Sequence, residues 1–426
     1  MKIYDLSSAQ QILQKRRLLK ERTELEAYVK GIIEEVKTKG DVALVKFTRR
    51  FDKVSLNPRN LIVSREEISE AYGKVTENQI RAIKSAKERL EKVERNLLER
   101  LNAEIKVGEI RIGFCTHPLR RVGCYIPGGK AAYPSTVVMT AVPARVAGVS
   151  NIVVCSPPRE DGSLNPSTLV AADICEANEI YKIGGAQAVA AMAYGTQTIE
   201  PVDKIVGPGN IYVTLAKMIV SKDFPIDFPA GPSELVVLAD ETAEPRFIAL
   251  DMCAQAEHGP DSVVGLVTTS RKLLKSTISQ LWKIAKSIPR GVIVAEALSK
   301  NGFAFICNTI DEMVEFANTF APEHVEIMLK NPKDVANRIF TAGVILVGPY
   351  SPASLSDYYS GTNHVLPTCG FGKVFSSLSV LDFVKRVAIV ECSKKGLLEA
   401  SEVIKIFSEA EMLPGHFKAV EWRLKG

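Results

Sequence analysis

The 426-residue chain is expected to fold as an α/β protein of two or three units built on largely parallel sheets. Its length exceeds the usual span of one core, and 46% of its residues are hydrophobic, enough to fill more than one. From about Arg120 onward, short β-branched runs end in Gly or Pro: NIVVCSPP, EIYKIGG, DKIVGPGN, ELVVLAD, SVVGLVTTS and GVILVGPY. Helical stretches separate these runs, and strands that alternate with helices form parallel sheets.

Up to Leu101 the chain reads as helices joined by short turns, with Ile80, Ile83, Leu90, Val93, Leu97 and Leu101 on one apolar face. Thr76 and Gln79 have the spacing of a capping box and mark the start of that helix. In the middle of the chain the strand ends carry glycines, and open α/β sheets bind ligands at the carboxyl ends of their strands. Gly128-Gly129, Gly184-Gly185 and Gly207-Pro208-Gly209-Asn210 are therefore either ligand loops or ordinary turns. None has the G-x-G-x-x-G spacing of a dinucleotide fingerprint. From Asp382 onward, DFVKRVAIVECSKKGLLEASEVIKIFSEAEML reads as a small, separate helical unit. No internal repeat is visible.

The formal charge is +5, with Lys and Arg interleaved among Asp and Glu, so no nucleic-acid footprint is expected. Cys115, Cys124, Cys155, Cys175, Cys253, Cys307, Cys369 and Cys392 include no C-x-x-C pair, and most lie in apolar runs. They read as reduced core thiols of a cytoplasmic protein. The opening MKIYDLSSAQQILQKRR lacks the apolar stretch of a signal peptide, and no run of about 18 apolar residues suggests a membrane span.

The five histidines are His117, His258, His324, His364 and His416. Gln255 and His258 lie three apart in a helix expected to end at Gly259-Pro260, either as a plain helix end or as two ligands facing one metal. Asp357 and His364 share a Ser-, Gly- and Pro-rich stretch expected to be loop, where Asp makes turns or binds ligands. His416 falls near the end, either in an exposed tail or in a site. Glu323 and His324 follow Pro322, which would place both in a helix's first turn, where the dipole favours a carboxylate and imidazole can exchange protons. No H-E-x-x-H or Cys cluster occurs, so any metal site must join distant segments.

Taken together, VGCYIPGGKAAYPSTVVMTAVPARVAGV, IGGAQAVAAMAYGT, VGPGNIYVTLAK, FPAGPSELVVLAD, AQAEHGPDS, APEHVEI, DYYSGTNHVLPT and EMLPGHFKAV resemble the histidinol dehydrogenase family nearly end to end. The resemblance implies a homodimer with two incomplete Rossmann-like parallel-sheet domains and small helical terminal segments. The implied limits are 1–22 for an N-terminal helical segment and 23–124 with 235–378 for the domain carrying metal and catalytic residues. Residues 125–234 would form the NAD side, and 379–426 a helical tail reaching the partner.

By the same resemblance, Gln255, His258 and Asp357 are zinc ligands, joined by His416 from the partner subunit. Glu323 and His324 are the catalytic pair. Ser233 and Glu411 contact substrate along with the ligands and the pair, Glu411 also from across the dimer, and Tyr125, Gln187 and Asn210 contact NAD. The implied reaction oxidises L-histidinol through L-histidinaldehyde to L-histidine, with one zinc per subunit and two NAD+ consumed, and with weak NAD binding for want of the fingerprint. Ser356 and Gly259 depart from the family pattern, where Gly and an acid are common. The nearest alternative is a related zinc- and NAD-dependent dehydrogenase of another diol, such as sulfopropanediol; a zinc hydrolase and a zinc-stabilised binding protein are the others.

Overall fold

The computed structural model describes residues 1–4, 23–128 and 132–425. Gly129, and the helical segment expected over 1–22 apart from its first four residues, lie outside the described residues. Lys2–Tyr4, expected in that helix, is instead a strand, β1. Four helices follow: α1 (Thr23–Lys39), α2 (Asp41–Phe51), α3 (Arg65–Tyr72) and α4 (Glu77–Glu99). The capping box of α4 is present as expected, with the Gln79 N–H donating to Thr76 Oγ1 and the Thr76 N–H to Gln79 Oε1. Its apolar face is only partly covered: Ile83 and Leu90 are buried, whereas Val93 and Leu97 are exposed.

The chain continues through β2 (Ala103–Val107), β3 (Ile110–Pro118), β4 (Arg121–Tyr125), α5 (Pro134–Ala147), β5 (Asn151–Cys155), α6 (Pro166–Ile174), β6 (Glu179–Tyr181), α7 (Gly185–Tyr194), β7 (Lys204–Val206) and α8 (Ile211–Val220). Next come β8 (Glu234–Ala239), α9 (Pro245–Ala256), β9 (Val263–Thr268), α10 (Arg271–Ser287), α11 (Gly291–Lys300), β10 (Phe303–Ile306), α12 (Ile310–Phe320), β11 (His324–Met328), α13 (Pro332–Ala336), β12 (Val344–Val347) and α14 (Ala353–Tyr358). The tail comprises β13 (Val384–Cys392), α15 (Lys394–Ala410) and α16 (Pro414–Lys425).

Two sheets are parallel throughout, a four-stranded one ordered β6-β5-β4-β7 and a six-stranded one ordered β1-β10-β9-β8-β11-β12. Both are covered on both faces, which is why their strands read as unbroken apolar runs. Along β5, Ile152 and Val154 enter one core while Val153 and Cys155 enter another; along β8, Leu235 and Val237 oppose Val236 and Leu238 in the same way.

The helices sort differently from the grouping of 23–124 with 235–378. Helices α1 and α2 bury Val29, Ile33, Leu44 and Phe47 against one face of the four-stranded sheet. Helices α3 and α4 bury Ala71, Ile83 and Leu90 against its other face, and β4 is itself a strand of that sheet.

The tail also departs from a wholly helical reading, because β13 pairs antiparallel with β3 across Val384–Cys392, and β2 completes a three-stranded sheet. Of the eight cysteines, five are buried, while Cys115 and Cys369 are partly exposed and Cys392 is exposed. Among the described residues no helix is long and apolar enough to cross a membrane.

Candidate active site

A cavity of about 670 Å³ opens between the two parallel sheets. Ligand loops were expected at carboxyl ends of strands; on the four-stranded sheet, Pro208, Gly209 and Asn210 follow β7 and line the cavity. The six-stranded sheet turns its amino ends to the cavity instead: Ser233 and Glu234 at β8, Val263 at β9, Phe303 at β10, and Glu323 and His324 at β11.

Glu323 and His324 are not in a helix's first turn. Ala321 ends α12 in the left-handed region at φ 50°, and the chain then runs straight into β11. The strand pairing sets His324 between Leu235 and Val344, with 2% of its surface exposed. No helix dipole acts on Glu323; its Oε2 accepts the Glu234 N–H at 2.8 Å.

The imidazole is held on both sides. Its Nδ1 lies 3.1 Å from Gln255 Nε2, 3.3 Å from the Glu234 carbonyl and 3.7 Å from Glu323 Oε2. Its Nε2 is buried without a formed hydrogen bond, 3.5 Å from Asp357 Oδ1. Burial alone would lower this imidazolium, but the charge of Glu323 and the contacts with Asp357 and Glu323 outweigh it and raise it to about 10. Burial pushes the Asp357 carboxyl up, and the facing His324, His364 and His258 rings more than reverse this, leaving it lowered.

Gln255 is buried in the last turn of α9, which ends at Ala256, so His258 lies just beyond the helix on an exposed turn and still lines the cavity. Asp357 was expected in a loop; it belongs to α14, a short helix that aims it into the cavity. His364 lies beside it, with Nδ1 2.8 Å from the Asp357 carbonyl. Gln255, His258 and Asp357 thus offer an amide, an imidazole and a carboxylate on one wall, a set suited to zinc with positions left for substrate. The Gln255 amide meets His324 Nδ1 at 3.1 Å, and its oxygen is the atom that would ligate a metal. Among the described residues no three His, Cys, Asp or Glu side chains form a metal-holding group by themselves.

Glu411 and His416 are not brought to this wall. Both are exposed, Glu411 capping α15 and His416 in the first turn of α16, an ordered helix and not a frayed end. Tyr125 and Gln187 also lie off the wall, buried together beneath the Gly184-Gly185 turn, where the Gly185 N–H donates to Tyr125 Oη at 3.0 Å and Gln187 Oε1 has no partner. Asn210 lines the cavity while its Oδ1 caps α8.

The loop that carries Asn210 is fixed by a buried ion pair, Lys217 with Asp227. Lys217 Nζ donates to the Gly207 carbonyl and the Gly207 N–H donates to Asp227 Oδ2, each at 2.8 Å. Gly207 has φ 110°, and a Cβ there would sit 2.2 Å from the Tyr125 carbonyl oxygen, so no larger residue fits. Glu234 is the functional neighbour that sequence reasoning missed. It adjoins Ser233 in AGPSE, but its role lies in backbone groups that orient Glu323 and His324, and residue type does not report these.

Comparisons with known proteins identify the family. The family model for histidinol dehydrogenase matches residues 15–424. A histidinol dehydrogenase of Methanothermobacter thermautotrophicus is 46% identical over 93% of this chain and 93% of its own, and one of Clostridium acetobutylicum is 45% identical over 96% and 95%. The solved histidinol dehydrogenase of Elizabethkingia anophelis superimposes with a TM-score of 0.95 at 38% identity, covering 100% of this chain and 98% of that one. An acetylating aldehyde dehydrogenase of Geobacillus thermoglucosidasius, 14% identical with a TM-score of 0.50 over 87% of this chain and 97% of its own, shares the fold alone. With matches of this extent and a buried Glu–His pair facing the cavity, the chain belongs to the histidinol dehydrogenase family and is an oxidoreductase.

Proposed function

We propose that the protein oxidises L-histidinol through L-histidinaldehyde to L-histidine, consuming two NAD+ and one water per turnover, with one zinc ion per subunit. The observation that carries this reading is the buried Glu323–His324 pair in the same cavity wall as Gln255, His258 and Asp357. Zinc, when bound, supplies a cationic template for the substrate's nitrogen atoms, and NAD+ supplies the hydride acceptor. Gln255, His258 and Asp357 hold the metal with His416 of the partner subunit. Ser233 and the partner subunit's Glu411 contact the substrate. His324 takes the alcohol proton in the first oxidation from its neutral form, which is favoured once the Asp357 charge that helps hold a proton on it is engaged by a metal. Glu323, oriented by the Glu234 N–H, takes a proton from the water that adds to the aldehyde, and His324 takes the hydrate's proton in the second. The enclosing wall retains the reactive aldehyde between steps.

The homodimer in this reading is supported by the tail, which presents Phe407, Met412 and Trp422 to solvent beside Glu411 and His416. NAD+ is assigned to the side formed by residues 125–234, with Asn210 on the wall and Tyr125 and Gln187 buried beneath the Gly184-Gly185 turn of the same sheet. Free thiols fit a cytoplasmic location. The test is NADH formed from histidinol by metal-replete protein, counted to completion. Two NADH per histidinol supports the reading; turnover of sulfopropanediol but not histidinol overturns the substrate and leaves the chemistry.

A further inference from the structure

Behind the Glu323–His324 wall lies a second pair of carboxyl groups that the proposed reaction does not use. Glu326 follows His324 by two residues on β11 and so projects from the same face of the strand. It is 1% exposed, and its register neighbours, Val237 and Leu346, are apolar. Its Oε1 accepts the Ala353 N–H at 2.8 Å and so caps α14 from outside, where the helix's own N-cap, Pro352, makes no side-chain bond. Its Oε2 is buried without a donor, and its carboxyl touches that of Asp251, one turn before Gln255 on α9.

Two ionised carboxylates only accept hydrogen bonds, so such a contact is attractive only when a single proton is held between them. The charged groups facing Glu326 are Asp251 from α9 and His324 from its own strand, while α14 contributes a backbone N–H. Burial first, and the Asp251 charge second, raise the Glu326 carboxyl above the ordinary range; burial does the same to Asp251.

We propose that Asp251 and Glu326 form a one-proton carboxyl pair that positions Gln255 and Asp357 against His324. The pair joins α9, β11 and α14, and each of these elements carries one of those three residues. It rests on the functional reading of those residues, but its first readout does not depend on activity.

Infrared spectra of the full-length protein at neutral pH are expected to contain a neutral carboxylic acid component that is lost in both Glu326→Gln and Asp251→Asn. Glu326→Gln preserves both contacts, since its amide donates to Asp251 and accepts from Ala353; Glu326→Leu preserves neither. Histidinol oxidation is expected to fall about 100-fold in kcat/KM in Glu326→Leu. Glu326→Gln is expected to restore it and to remove the parent's loss of kcat/KM at alkaline pH, where the shared proton leaves. Absence of the neutral-acid component, or an equal loss in the Gln and Leu variants, overturns the proposal. A component lost in both amide variants of a protein that oxidises no histidinol supports the pair and contradicts the functional reading instead.

Discussion

The cavity wall and the carboxy-terminal tail carry functional residues in opposite surroundings. Glu323 and His324 stand at the head of a strand buried on both faces, and their side chains are oriented by Glu234, Gln255 and Asp357 within a few ångströms. From Val384 onward, one strand and two helices leave Val390, Ile406, Phe407, Met412 and Trp422 exposed, and Glu411 and His416 are exposed and do not line the cavity. Exposed apolar side chains on a folded tail fit the proposed contact with a second copy of the chain. The wall draws its Glu–His pair and its amide, imidazole and carboxylate from one chain, whereas the tail keeps Glu411 and His416 off that wall, as the proposed shared site requires.

The largest effect expected on the wall is from Glu323→Gln, which should lower kcat by about 10²–10⁴-fold in steady-state assays with the fold unchanged. If the tail matters equally, His416→Ala should lose activity to a similar degree and also retain less zinc after dialysis, while its melting curve stays that of the parent. An active His416→Ala would break the comparison, because the wall would then suffice alone.

Smaller effects separate the architecture of the two regions. Gly207→Ala, which drives a Cβ into the Tyr125 carbonyl at a positive φ, is expected to destabilise the protein by about 3 kcal/mol in denaturant titration. Phe407→Glu should weaken dimerisation by sedimentation with little change in secondary structure.

The join between body and tail should respond to pH. Glu94 accepts the Val380 N–H just before β13, and burial pushes its carboxyl up to about 7. A folded state that keeps a proton the unfolded chain releases has this stability in full below the ordinary carboxylate value and loses it as pH rises through about 7. Stability should fall by on the order of 2 kcal/mol between mildly acidic and mildly alkaline pH, and Glu94→Gln should flatten that slope.

The parallel strands were legible because burial on both faces writes them as unbroken β-branched runs. The exposed strand Val384–Cys392 was not, since neither face is deeply buried and no period of two survives in VKRVAIVEC. Asp357 looked like loop because α14 is Ser-rich and six residues long, and its cap comes from Glu326 on another element. Pro322 suggested a helix start, but the left-handed Ala321 redirects the chain into a strand. Residue types named the Glu–His pair and the amide, imidazole and carboxylate donors through family resemblance. Their convergence at amino ends of strands is a property of chain path, which spacing does not encode.

A site shared between one chain's wall and another's tail is tested most directly by mixing His324→Ala with His416→Ala. Each variant alone is expected to be inactive. After subunit exchange, hybrid dimers combine one intact wall with one intact tail, so activity should return to about one quarter of the parent's. No recovery, with hybrid dimers shown to form, would contradict the shared site and require each tail to serve its own chain.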